Sequence, residues 1–144
     1  AFAEGFTPHI ISSDLHSGGV HGPTYDLTTV MTRCLHLGMP LIDIIRAVTI
    51  APARAIGWDD RIGTLEVGRP ADITVLSVDD VDIELEDCQS QRRRIKQRIQ
   101  ARAVWREGKY YQCTAPQPWP NQQTIARQRL SWERLVVRDE TAPA

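Results

Sequence analysis

The chain has 144 residues, 42% of them hydrophobic, and its 17 basic and 18 acidic residues give a formal net charge of −1. This length allows one domain with one modest core and excludes a large single-chain enzyme body. The near-zero charge excludes a global field that would attract nucleic acid or an anionic membrane, so we expect neither as a partner.

Cysteine usage and hydropathy indicate the compartment. Cys34, Cys88 and Cys113 are far apart and form no CxxC pair, which argues against a disulfide framework and a cysteine zinc site. No apolar run reaches the roughly 18 to 20 residues that span a bilayer, and the N-terminus lacks a signal-peptide pattern. We therefore expect a soluble, cytoplasmic protein, and the start without Met suggests a piece of a longer one.

The first predicted element is a short strand over residues 9–12, a β-rich run that Pro8 precedes and Ser13 and Asp14 follow. A glycine-rich loop follows over residues 17–23. An aspartate directly after a buried strand stands where α/β barrels place catalytic groups, and it can bind a divalent metal or accept a proton from water. Taken alone, however, such an aspartate is more often a turn or N-cap residue.

The histidines do not by themselves indicate a metal site. His16 and His21 are separated by the loop and do not share a rigid helix face, so a preformed two-histidine zinc site is not predicted. Taken alone they are surface or pocket residues. For His9 and His36, packing or a solvent-facing position is the favoured role.

Residues 26–57 are predicted to form a helical block. Asp26 can cap a first helix, which Gly38 ends, and Pro40 suits the first turn of a second. Pro52 is predicted to open a third, which Gly57 ends. The first helix shows apolar residues at helical spacing: Leu27, Val30, Met31, Cys34 and Leu35.

Beyond residue 57 the pattern changes to strands. Leu65 and Val67, a turn at Gly68, and residues 73–76 read as strand, turn, strand, and alternation over residues 95–111 predicts a second hairpin that turns at 107–109. The tail from residue 114 contains prolines and then a possible helix over 122–137.

The basic run "RRRIKQRIQAR" raises a nucleic-acid hypothesis, because such a run could contact phosphates. Its charges alternate with apolar residues, as on a solvated sheet face, and Glu84, Glu86 and Asp87 lie close enough in sequence to neutralise them. The solvated face is the favoured interpretation.

Four segments in order, "ISSDLH", "GPTYDL", "LGMPLIDIIRAVTIAPARAIG" and "GTLEVGRPADITVL", resemble the C-terminal end of the amidohydrolase superfamily of metal-dependent hydrolases. The resemblance covers about residues 6–112. It lies near the dihydroorotase, hydantoinase and deacetylase branches, and the "DLH…GPTYDL" form is most similar to the deacetylase group.

The resemblance implies an α/β plus β fold. Residues 1–57 would be the C-terminal end of a (β/α)8 barrel, with residues 9–13 as its eighth strand and 26–37 as the following helix. Residues 58–113 would form part of a small β-sandwich, and 114–144 a proline-containing tail. A barrel needs roughly 200 residues or more, so the fold is expected to be incomplete in this chain.

The resemblance also assigns roles. Asp14 matches a metal ligand that acts as general base, and His16, His21 and Gly22 become candidate substrate contacts. One or two divalent metals are implied, with zinc expected, although Asp14 alone suits Zn, Mn, Co or Fe. Metal binding should be weak or absent in this chain alone, because an HxH strand and a metal-bridging carboxylated lysine would lie upstream of it.

Three further positions are interpreted structurally. Gly68 is expected to permit a turn, and Asp72 to bond local backbone groups. Ala51 stands where the family often has a capping Asn before Pro-Ala, a loss expected to cost on the order of 1 kcal/mol.

The implied function is hydrolysis of amide or ester (acyl) bonds of small molecules by metal-activated water, deacetylase-like, with Asp14 as base and with little activity in this chain alone. A cyclic amidase of the dihydroorotase or hydantoinase type is an alternative, and a non-catalytic barrel remnant that serves assembly is another. Apolar surface that a missing barrel would cover predicts self-association or binding of the missing portion.

Overall fold

A computed structural model describes residues 2–16, 23–87 and 89–113. A short 3-10 turn, Phe2–Glu4, comes first. The helices are α1 (Leu27–His36), α2 (Leu41–Val48) and α3 (Ile50–Ala55), and the strands are β1 (Ile73–Glu86), β2 (Arg92–Arg106) and β3 (Lys109–Gln112). The predicted tail helix falls outside the described residues. No helix within them is long and apolar enough to cross a membrane.

Helix α1 begins and ends as its sequence predicts. The Asp26 carboxylate accepts the backbone N–H of Thr29 at 2.6 Å and the hydroxyl of Thr28 at 2.9 Å, so it caps the first turn. At the other end Gly38 has φ +93° and donates its N–H to the carbonyl of Leu35 at 3.0 Å. Both predictions, the cap and the stop, are confirmed.

Helix α3 begins at Ile50, two residues before the predicted start at Pro52. Its N-cap is Thr49, and Ala51 therefore lies inside the helix. The predicted loss of a cap at Ala51 is wrong, because a residue in the first helical turn cannot serve as the N-cap. The Thr49 hydroxyl donates to the carbonyl of Ile45 at 2.7 Å and so stabilises the end of α2 instead.

The three strands form one antiparallel sheet in the order β1-β2-β3. The β1–β2 pairing runs from Ile73 opposite Trp105 to Glu86 opposite Arg92, with two irregularities in register. Strand β1 is thus far longer than the predicted residues 73–76. The predicted hairpin between β2 and β3 is confirmed, with its turn at residues 107 and 108.

Asp72 and Gly68 shape the approach to this sheet. Gly68 has φ +95°, as its predicted turn requires. The Asp72 carboxylate accepts the backbone N–H of Glu107 at 2.7 Å, in the β2–β3 turn. The prediction of local bonds is therefore wrong for this carboxylate: it holds a turn 35 positions away in the sequence.

Two predicted strands do not form, at residues 9–13 and at Leu65 to Val67. A strand exists only where another strand pairs with it, and no described strand lies beside either segment. The N–H of Ile11 donates instead to the carbonyl of Ala47 in α2 at 3.0 Å. Val67 is fully exposed, and a turn between Glu66 and Arg69 follows.

Helix α1 lies at the centre of the core. The buried cluster joins the N-terminal segment, the first two helices and strand β2 through Ile11, Met31, Cys34, Met39, Ile44, Ala47 and Ile99. Thr32 is completely buried, and its hydroxyl accepts the N–H of Ile99 at 3.0 Å while donating to the carbonyl of Thr28 at 2.8 Å. The core is therefore continuous from the helical block into the sheet.

Gly63 should tolerate no side chain. A Cβ there would lie 3.0 Å from Cα of Ile50 and 3.1 Å from Cβ of Ala53, and φ is +92°. We predict that Gly63→Ala lowers the free energy of unfolding by about 1–3 kcal/mol more than Gly57→Ala does. Gly57 is the matched control, because its φ of +71° carries similar backbone strain in open space. Urea denaturation measures both, and equal losses would contradict the close approach.

Candidate functional site

Asp14 lies at the end of a segment that is anchored in the core. Ile11 is buried and bonded to α2, whereas Asp14, three residues further on, is exposed. The backbone of Asp14 has φ +46°, in the left-handed region that few non-glycine residues adopt. The anchored segment therefore presents the Asp14 side chain to solvent from an uncommon backbone conformation.

The side chains of two neighbours bond the backbone of Asp14. Its N–H donates to the Ser12 hydroxyl at 3.2 Å, and its carbonyl accepts from Nδ1 of His16 at 2.9 Å. Because a carbonyl oxygen can only accept, Nδ1 is the donor of this bond, and in the neutral ring with this tautomer Nε2 has the lone pair. The Asp14 carboxylate itself has no hydrogen bond or ion pair with any described residue.

The structure thus brings together two of the predicted site residues, Asp14 and His16. The other two, His21 and Gly22, lie outside the described residues. His9 is exposed on the N-terminal segment, and His36 is exposed at the end of α1. Ser12 is a further contact of Asp14, and the sequence predicted no role for it although it lies in the segment "ISSDLH".

An unpaired carboxylate is a suitable ligand for a divalent cation, since hard cations prefer oxygen donors. Within residues 2–16, 23–87 and 89–113, however, no group of three His, Cys, Asp or Glu side chains is placed to hold a metal ion. The described chain therefore offers Asp14 as one ligand that fits such a site, and the other ligands would have to come from elsewhere.

The segment before α1 is tied to the sheet by Arg33. Its guanidinium donates to the carbonyl of Pro23 and, at 3.0 Å, to the carbonyl of Glu86 at the end of β1. Tyr25, between Pro23 and the helix, has φ +60°. Burial raises the pKa of its phenol, an effect that Arg33 opposes and Glu86 reinforces. Sequence reasoning gave neither Tyr25 nor Arg33 a role, because the contact to Glu86 spans 53 positions.

Cys34 does not contribute a nucleophile. It is 8% exposed in the core, and burial raises the pKa of its thiol. The thiolate is the reactive form of cysteine, so a buried thiol with a raised pKa is inert near neutral pH. Its position indicates a packing role in α1.

A half-open cavity of about 220 Å³ lies between the end of α1 and the β1–β2 hairpin. Neither Asp14 nor His16 lines it, so it is separate from the candidate site. Its walls are Arg33, His36, Leu37, Leu85, Glu86, Asp87, Gln91, Arg93 and Ile95.

The basic run on β2 faces acidic residues on β1. Arg92 lies 4.0 Å from Glu84 and 3.1 Å from Glu86, as the sequence suggested. Asp82 accepts from Arg94 at 2.6 Å and from Lys96 at 2.8 Å.

A further ion pair joins Arg102 and Asp79 at 2.6 Å. The Asp87 carboxylate instead accepts the backbone N–H groups of Gln89 and Gln91. The absence of a nucleic-acid partner stays a prediction.

The fold is similar to parts of two solved enzyme structures. The fold is similar to the crystal structure of an adenine deaminase, with TM-score 0.72 and 31% identity over 77% of this chain and 30% of that one. It is also similar to a dihydroorotase, with TM-score 0.71 and 33% identity over 78% of this chain and 30% of that one.

Residues 3–109 match the amidohydrolase family, and the chain belongs to that family. A deacetylase of Agrobacterium fabrum is 37% identical over 102 residues, which are 71% of this chain and 25% of that protein. An imidazolonepropionase of Symbiobacterium thermophilum is 38% identical over 68 residues, or 46% of this chain and 16% of that protein. The chain thus spans about a quarter of the length of the deacetylase.

Acid titration should reveal the ion pairs on the hairpin. Hydrogen bonds from Arg94 and Lys96 hold the pKa of the Asp82 carboxyl well below its usual range. Its contribution to stability is therefore present above the unfolded pKa of about 3.9 and is lost as the pH falls below that value.

We predict that the unfolding midpoint in urea declines more steeply between about pH 5 and pH 3 for the wild type than for Asp82→Asn. Asp80→Asn is the matched control, because Asp80 is exposed and forms no ion pair with any described residue. Parallel pH profiles for the wild type and Asp82→Asn would contradict the pairing.

Proposed function

We propose that this chain is the C-terminal part of a metal-dependent hydrolase that cleaves amide or ester bonds of small acylated molecules, in the manner of a deacetylase. The observation that carries the proposal is the exposed carboxylate of Asp14, which pairs with no described residue and is held at the end of an anchored segment in a chain 37% identical to a deacetylase over 102 residues. Zinc is the expected metal.

The proposal includes a barrel that is completed by further chain. Residues 9–13 would then pair as a strand with neighbours contributed from outside the described residues. The absence of those neighbours from the described residues would account for the lack of strand structure here. Ile11 is already buried in the core cluster. Asp14 would follow this strand at its carboxyl end, where barrel enzymes place their catalytic groups.

In the proposed mechanism Asp14 is both a ligand and the general base. A carboxylate oxygen of Asp14 accepts a proton from the attacking water and transfers it to the nitrogen or oxygen of the leaving group. A divalent metal, when bound, supplies a Lewis acid that lowers the pKa of the water. His16 has an Nε2 lone pair that can accept a hydrogen bond from substrate. Contacts by His21 and Gly22 stay predictions.

A second candidate is a cyclic amidase, which the similarity to a dihydroorotase supports. Both candidates include hydrolysis of an amide C–N bond and would use Asp14 in the same way. A substrate panel separates them: N-acetylated amino acids and simple acetate esters test the deacetylase, and dihydropyrimidines and hydantoins test the cyclic amidase.

Asp14→Asn should abolish most of the activity, because the amide is nearly isosteric but cannot accept the proton. We expect turnover to fall by roughly 10²–10⁴-fold, measured as hydrolysis by the product of the complete reading frame that encodes this chain. Asp43→Asn is the control, since Asp43 forms an exposed ion pair with Arg46 on α2. Retained turnover in Asp14→Asn would overturn its assignment as base.

We also propose that the chain associates through its exposed apolar side chains, either with the rest of the barrel or with a second copy. Ile42 is 57% exposed and Trp58 50% exposed. Other exposed apolar side chains between residues 41 and 67 are Leu41, Ile56, Leu65 and Val67. Soluble monomers rarely leave much apolar surface uncovered when it is contiguous.

We predict that the 144-residue chain alone has a mass above that of a monomer in size-exclusion chromatography with light scattering. Replacing Ile42 and Trp58 together by serine should lower that mass, because less apolar surface remains to be buried. The control is Asp80→Ser, a polar surface change. A wild-type chain that is monomeric at all concentrations would refute self-association.

A further inference from the structure

We propose that Ser12 and His16 are positioning residues for Asp14: their side chains hold its backbone so that its carboxylate stays free for metal and substrate. This inference rests on the proposed function of Asp14 and adds two residues to it. His16 thereby acquires a role through Nδ1 that is distinct from a substrate contact through Nε2.

The backbone of Asp14 has an uncommon conformation that its neighbours stabilise. Its φ of +46° is unfavourable for a residue with a Cβ, and such conformations persist where surrounding interactions compensate for them. The two hydrogen bonds that compensate here come from side chains two positions on either side, Ser12 at 3.2 Å and His16 at 2.9 Å. Both polar groups of the Asp14 backbone are thus satisfied without its own carboxylate.

Three other aspartates of the chain use their carboxylates differently from Asp14. The carboxylates of Asp26, Asp72 and Asp87 each accept a backbone N–H, from Thr29, Glu107 and Gln91 among others. Those three aspartates use their side chains to stabilise the backbone. Asp14 reverses this arrangement, because neighbouring side chains hold its backbone and its carboxylate bonds no described residue. A carboxylate reserved in this way is available to a ligand.

His16 donates to the Asp14 carbonyl through Nδ1. An asparagine can replace this donor, because its amide nitrogen occupies a place similar to that of Nδ1. His16→Asn retains the positioning bond and removes Nε2, whereas His16→Leu removes both. The pair of variants therefore separates positioning from substrate contact.

The test uses the product of the complete reading frame, loaded with Zn²⁺. We expect Ser12→Ala and His16→Leu each to lower kcat by about 10–100-fold with the thermal unfolding midpoint unchanged, and Ser12→Ala to leave KM within about twofold. Ser12→Thr and His16→Asn should restore most of the lost kcat. The same two damaging variants should release Zn²⁺ to a chelator faster than the wild type does.

Two variants serve as matched controls for chemistry and location. Ser13→Ala and His9→Leu alter a serine and a histidine of the same segment that form no hydrogen bond with any described residue. Neither should change kcat or Zn²⁺ release. In addition, the ¹⁵N chemical shifts of the His16 ring in the wild type should show the proton on Nδ1.

The outcomes distinguish this inference from the function on which it rests. If Asp14→Asn keeps its turnover, the proposed function fails. If Asp14→Asn is inactive while Ser12→Ala and His16→Leu keep normal kcat and Zn²⁺ release, only the positioning role is overturned. A normal kcat in His16→Leu, with KM raised equally in His16→Leu and His16→Asn, would also overturn the positioning role of His16 and leave it only a substrate contact. An Nδ1 of His16 that carries no proton in the wild type would overturn its donor role.

Discussion

The described structure depends on the buried bond between Thr32 of α1 and the backbone of Ile99 in β2. Strand β3 pairs with β2 only from Ala103 onward, so at Ile99 one edge of β2 has no strand neighbour among the described residues. The Thr32 hydroxyl takes the N–H of Ile99 there, and both residues are fully buried. A buried N–H without a partner is costly, so this contact fixes α1 against the sheet.

With α1 fixed, the candidate site acquires its supports. The helix packs on the cluster that holds Ile11, and Ile11 anchors the segment that ends at Asp14. From the same helix, Arg33 ties the Pro23 carbonyl to the end of β1. The described segment that ends at residue 16 and the one that begins at residue 23 are therefore both attached to α1 and its core. Catalytic groups work best on such rigid supports, because small displacements reduce activity strongly.

Charged pairs and exposed apolar side chains both occur on the surface of the described structure. Arginines and a lysine of β2 pair with acidic side chains of β1. Exposed ion pairs of this kind contribute little to stability at neutral pH but make it sensitive to acid. Large apolar side chains are exposed on the helices, for example Ile42, and also on the sheet, for example Val75 and Tyr110.

Residue patterns in the chain were sufficient to predict the helical block, the Asp26 cap, the Gly38 stop, the β2–β3 hairpin and membership of the amidohydrolase family, because each depends on local spacing or on motifs in order. The folded structure was needed to find that residues 9–13 form no strand here, that Asp72 holds a distant turn, and that Ser12 and His16 bond the backbone of Asp14. The physical reason is that strand pairing and hydrogen bonds join groups according to their position in space. No periodicity in the chain records which partner a strand or a carboxylate will meet.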